Sequence, residues 1–156
     1  MPIEKLVYLD ESGIEDNSCP VNGWSLKGSR CFDKKVFQHK RRVSMIAGFC
    51  NDSIIAPLVF EGTANSELFE TYVKEVLIKE LKPGQVVVMD NINFHKRKKI
   101  EDLIKSAGAS ILFLPTYSPD LNPIENHWFR IKHYIRKIAA KFTNFFDAVS
   151  YALSVA

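Results

Sequence analysis

Short unbroken apolar runs alternate along the chain with stretches in which apolar residues recur at helical spacing. Ile3 to Leu9, with Leu6-Val7-Tyr8-Leu9 apolar throughout, predicts a strand buried on both faces and ended by Asp10-Glu11-Ser12-Gly13. Residues 14–40 are polar and irregular, with Gly23, Trp24 and Gly28 suggesting turns or a hairpin. Val43 to Phe49 and Ile54 to Phe60 read as two further strands. Pro57 removes a ladder donor, so the third strand belongs at a sheet edge. Ser66 to Leu81 turns helical and stops at Pro83-Gly84. Gln85 to Met89 is a short valine-rich strand, Lys96 to Ala107 a helix that Gly108 ends, and Ser110 to Leu114 a fifth strand. After the proline-punctuated loop Pro115 to Pro123, Ile124, Trp128, Ile131, Ile135 and Ile138 fall on one helical face. Asn144 to Val155 forms a last helix.

The order is three strands, then helix, strand, helix, strand, helix, helix. Three leading strands with an edge proline suggest an antiparallel meander, and the later alternation suggests parallel crossovers. The expected fold class is α/β: a five-stranded mixed sheet, strands 1–3 antiparallel and strands 1, 4 and 5 parallel, flanked by helices. At 156 residues, with no repeat or linker, residues 1–156 read as a single domain.

Composition adds little to this picture. With 46% hydrophobic and 25% charged residues the chain is ordinary for a globular protein, and no apolar run approaches a membrane span. Three widely spaced cysteines, Cys19, Cys31 and Cys50, form neither a disulfide framework nor a zinc motif. They read as free thiols, and the expected location is cytoplasmic.

The carboxylates matter more. Asp10 and Asp90 each follow an apolar strand, and adjacent parallel strands would bring both out at the sheet end where open α/β sheets place ligands. Glu125 starts the Ile124 helix, one turn from Trp128, so three acids from three elements could meet at one edge. Converging carboxylates repel and need a cation, and hard oxygen ligands select magnesium or manganese. Two such ions roughly 3.5–4 Å apart serve in-line phosphoryl displacement. Each acid also has a plainer reading. Asp10 and Asp90 could be strand-end turn residues. Asn122 as N-cap, with Pro123 first in the helix, makes Glu125 the third residue of a capping box, and on local evidence alone the cap is the better reading. Asn91 and His95 follow Asp90 closely and could position a phosphate or water, or simply enter a helix. Glu11 should point to the face opposite Asp10. Tyr117 and Trp128 read as packing residues rather than base-stacking platforms.

The net charge of +3 decides nothing, but its distribution contributes. Basic residues gather at Lys34-Lys35 with His39 to Arg42, at Lys96, Arg97 and Lys98 running on to Lys99, and at Arg130, Lys132, Arg136, Lys137 and Lys141 off the isoleucine face. Charged helix faces are usually just solvated. Beside three metal-binding acids, however, these clusters favour a phosphate backbone.

Tyr8-Leu9-Asp10-Glu11-Ser12-Gly13, Val88-Met89-Asp90-Asn91 with His95-Lys96, and Leu114 to Glu125 (LPTYSPDLNPIE) followed by Trp128 together resemble the DDE transposases. The branch they look most like is that of the bacterial insertion-sequence relatives of the mariner superfamily. The 34 residues between Asp90 and Glu125 match that superfamily's spacing. The resemblance implies a ribonuclease H-like fold and a metal-binding triad of Asp10, Asp90 and Glu125, turning the balance at Glu125 from cap to catalysis. It implies Mg2+, with Mn2+ as substitute and two ions in all, nicking at transposon ends, and strand transfer into target DNA. A homodimer in a synaptic complex would join two ends. Family members carry an N-terminal helix-turn-helix region that is absent from this reading of the chain. A fragment, a split-frame product or a degraded copy is therefore expected, with a separate polypeptide binding the ends. The alternatives are a non-catalytic, transposase-derived DNA-binding or regulatory fragment, and a ribonuclease H-like nuclease or resolvase.

Overall fold

A computed structural model describes residues 2–16, 42–90, 97–115 and 118–156. The unassigned stretch around Gly23, Trp24 and Gly28, together with Cys19, Cys31, Asn91, His95, Lys96 and Tyr117, lies outside the described residues. Five strands form one sheet in the order β3-β2-β1-β4-β5: β1 (Leu6–Glu15), β2 (Arg42–Cys50), β3 (Ser53–Glu61), β4 (Val86–Asp90) and β5 (Ser110–Leu114). β1–β2 and β2–β3 are antiparallel, and β1–β4 and β4–β5 are parallel, as the element order predicts.

β1 departs from expectation. A short 3-10 turn takes Ile3–Lys5, and the strand continues through the polar Asp10-Glu11-Ser12-Gly13 to Glu15. Pairing drives the extension, because β2 matches it residue for residue from Tyr8↔Phe49 to Glu15↔Arg42. β2 is buried from Val43 to Phe49, so its partner strand is held in place whatever its own polarity.

Pro57 does lie on the edge strand, and it sits in a bulge. The β2–β3 register slips between Ile46 and Gly48, and Ala56 takes a left-handed φ of 49°. Side chains from the neighbouring helical layer satisfy the stranded backbone. The Ala56 N–H donates to Glu80 Oε2 (3.1 Å), and the Tyr72 hydroxyl donates to the Ala56 carbonyl (2.8 Å).

Helices cover both faces. On one side lie α1 (Ser66–Tyr72), a π-helical turn (Val73–Leu77), α2 (Ile78–Glu80) and α3 (Arg97–Ser106). They bury Phe69, Tyr72, Val73, Leu77, Ile100 and Ile104 against Val7, Leu9, Ile46, Val87 and Met89. On the other side α4 (Ile124–Ile138) and α5 (Phe145–Ser154) pack on Ile14, Val43, Met45, Ala47 and Phe49. All five residues of the predicted α4 face are buried, with Ile124 and Ile135 fully so. Gly108 ends α3 at φ 79°, where a Cβ would stand 3.2 Å from Pro83 Cα. Among the described residues no helix is long and apolar enough to cross a membrane. Cys50 is a free thiol whose pKa is pushed up by burial.

Candidate functional site

Strand register brings two of the candidate acids together. The parallel β1–β4 ladder runs Leu6↔Val86, Val7↔Val87, Tyr8↔Val88, so Asp10 and Asp90 each stand two residues beyond its last pair. They occupy equivalent positions just past the end of that ladder, Asp90 at the C-terminus of β4 and Asp10 midway along β1, where the two strands part. Beyond Tyr8, β1 keeps β2 while β4 keeps β5 as far as Asp90↔Leu114. Asp10 is half-buried and Asp90 exposed. Glu11 faces the other way, and its Oε1 accepts the Ala64 N–H at 3.5 Å on the side of α1.

The third acid arrives from α4. The buried Asn122 accepts the Ile124 N–H on Oδ1 at 3.4 Å, and its carbonyl accepts the Glu125 N–H at 3.2 Å. Asn122 thus braces the first turn, but the N-cap position falls on Pro123, one residue later than expected, with no side-chain cap bond. Among the described residues the Glu125 carboxylate makes no return bond to Asn122 and is exposed. The Asn122 Nδ2 donor, also buried, has no hydrogen-bond partner among them.

Electrostatics tie the three elements together at Asp10. Its carboxyl is pushed up to about 6, first by burial and then by the negative charges of Glu125 and Asp90. The Glu11 backbone N–H opposes the rise. So does the indole of the buried Trp128, which leans toward Asp10 although Nε1 forms no hydrogen bond of normal geometry. The polar tip of Trp128 therefore faces the carboxylate while its ring belongs to the core, the packing role expected of it.

As they stand, no three carboxylate, imidazole or thiol groups among the described residues are close enough to enclose a metal. The donor set nevertheless fits a hard divalent ion, because it is all oxygen and its own repulsion shows in the raised Asp10.

Cations line the rim. Lys132, one turn beyond Trp128, is half-buried and its pKa is lowered by burial and by Arg136 and Arg42, while Glu125 and Asp10 act the other way. Arg42 was the least legible of these from sequence. Its guanidinium folds across Gly13, where a Cβ would meet it at 2.5 Å, and its Nε contacts Ser44 Oγ at 3.5 Å. Only the absence of a side chain at position 13 permits that path. Arg130 lies on the other flank of α4, lining a groove of about 400 Å3 with His127, Ile131 and Tyr134. Lys137 and Lys98 are exposed, and Arg97 opens α3.

A family model described as DDE superfamily endonuclease matches residues 5–147. The Transposable element Tcb2 transposase of Caenorhabditis briggsae is 28% identical over 114 residues, covering 73% of this chain and 37% of that protein. Among solved structures, the Mos1 strand transfer complex superposes with a TM-score of 0.62 at 16% identity, over 97% of this chain and 46% of that one. The Mos1 transposase paired-end complex with left transposon end gives 0.59 at 15%, over 97% and 53%. The catalytic core domain of BIV integrase gives 0.59 at 14%, over 96% and 81%. The chain thus spans about a third of the Tcb2 protein and about half of the Mos1 chains.

Proposed function

The chain belongs to the DDE superfamily endonucleases, and from that membership we propose that it is the catalytic core of a DNA transposase. The fold is ribonuclease H-like. The proposed reaction is metal-dependent hydrolysis of a phosphodiester at transposon ends, followed by strand transfer into target DNA. One observation carries the assignment of the site: Asp10 and Asp90 stand at equal register just beyond the ladder that joins their adjacent strands, where Asp10 senses both Asp90 and Glu125.

In this reading Asp10, Asp90 and Glu125 hold two Mg2+ ions, with Mn2+ as substitute. When bound, the ions supply Lewis-acid activation of an attacking hydroxyl and charge stabilisation at the leaving oxygen. The protein's own groups do the rest. Asp10, raised by burial and by its neighbours, is poised to exchange its proton for a cation near neutral pH. Trp128 closes the inner wall and directs its N–H at that carboxylate. The α4 N-terminus, braced by Asn122, places a partial positive charge beside Glu125. Lys132 and Arg136 offer positive charge to backbone phosphates at the rim, with Lys96, Arg97, Lys98, Arg130 and Lys137 as further contacts and Asn91 and His95 as positioning groups. End recognition is assigned to sequence outside this chain, in the same or a separate polypeptide, and a pair of copies would join two ends.

Asp90 is exposed at a strand terminus, so Asp90→Asn should leave the fold intact. Nicking of labelled DNA by wild type in Mg2+ should fall in this variant to the background seen with EDTA. Wild-type rates in Asp90→Asn would remove Asp90 from the site. Metal binding without nicking by wild type would favour a regulatory fragment.

A further inference from the structure

We propose that the outer flank of α4, formed by Glu125, Phe129, Lys132 and Arg136, seats an unpaired nucleic-acid strand, with one base stacked on the Phe129 ring. The inference rests on the reading of Glu125 as part of the reacting site and deepens it by naming the form of nucleic acid that reaches it.

The four residues fall at offsets of 0, 4, 7 and 11 and so share one stripe of the helix. Phe129 is 73% exposed, the most of any large hydrophobic side chain among the described residues. It is not a frayed margin of the core. The buried face of α4 is filled by Ile124, Trp128, Ile131, Ile135 and Ile138, and the groove beside α5 opens on the opposite flank. A bare phenyl ring thus stands one turn from Glu125, with Lys132 and Arg136 continuing the stripe beyond it.

Lys132 lies within the field of Glu125 and Asp10 on one side and of Arg136 and Arg42 on the other. The stripe therefore passes from carboxylate to aromatic ring to converging cations. An apolar protein surface would complement the ring but not the cations. A polyanion with free flat faces complements both, because phosphates meet the cations and a base covers the ring. Duplex DNA keeps its base faces stacked inside, whereas a single strand presents them, and base–aromatic stacking is indifferent to sequence.

The test measures anisotropy of a short fluorescein-labelled single-stranded oligonucleotide in EDTA, where the metal site plays no part. Phe129→Ala should weaken binding by about 5- to 150-fold, and Phe129→Trp should retain it. The salt dependence should be unchanged in Phe129→Ala, since stacking releases no counterions, while Lys132→Ala should flatten the log–log slope by about 0.7. Affinity for a blunt duplex of the same sequence should not respond to Phe129→Ala. Unchanged single-strand affinity, an equal loss on duplex, or dissociation of an oligomer in Phe129→Ala would overturn the proposal, the last by showing that a second copy covers the ring. Failure here leaves the triad standing, because nicking by Asp90→Asn tests that separately.

Discussion

Replacing Asp10 by Asn should stabilise the metal-free protein at neutral pH. The folded state holds this carboxyl near 6 against an ordinary value of 3.8, through burial first and then through Glu125 and Asp90. Because the folded pKa is the higher one, the folded state binds the proton more tightly than the unfolded chain. Stability from this group is therefore full below 3.8, falls as pH rises toward 6, and stays low above it. At 1.36 kcal/mol per unit the shift corresponds to roughly 3 kcal/mol, with solvent screening of a half-buried group trimming it toward 2. Asn keeps an oxygen for the Glu11 N–H and carries no charge. Thermal melts in EDTA at pH 8 should place Asp10→Asn about 4–10 °C above wild type, at the 2–4 °C per kcal/mol typical of this size. The gap should close toward pH 4. Equal melting temperatures at pH 8, or a gap indifferent to pH, would refute the electrostatic account of Asp10.

Other consequences reach the scaffold. Ile135→Ala empties a fully buried position under α4 and should cost about 2–5 kcal/mol by urea denaturation, with the m-value unchanged. Tyr72→Phe removes the hydroxyl that serves the Ala56 carbonyl at the bulge and should cost about 1–3 kcal/mol in the same measurement. Gly108→Ala forces a side chain into a left-handed position against Pro83 and should cost about 1–3 kcal/mol, seen as a lower melting temperature.

Much of the scaffold was readable in the chain because burial writes itself as pattern. Val86 to Met89 is one unbroken apolar run, the Ile124–Ile138 face carries one helical period, and Pro57 cannot serve a central strand. What escaped depends on partners. The polar second half of β1 is a strand because β2 pairs with it, which no local signal at Glu11-Ser12-Gly13 records. The helix after Ser66 bears a π-helical turn at Val73–Leu77, an irregularity that no residue pattern announces, and it buries Phe69, Tyr72, Val73 and Leu77. At the site, apolar strand ends pointed to Asp10 and Asp90, and the capping pattern located Glu125 while suggesting a smaller job for it. Phe129 was hidden because periodicity marks the buried face and is silent about an aromatic outside it. Arg42 reaches the rim only across Gly13, a tertiary path with no spacing rule behind it.

Calorimetric titration of Mg2+ and Mn2+ into wild type, Asp10→Asn, Asp90→Asn and Glu125→Gln, repeated with DNA bound, tests the central claim most directly. The account predicts metal uptake by wild type, with or without DNA to complete the ligands, and its loss in each of the three variants. Uptake that survives all three substitutions, or none by wild type even on DNA, would contradict a metal centre built from Asp10, Asp90 and Glu125.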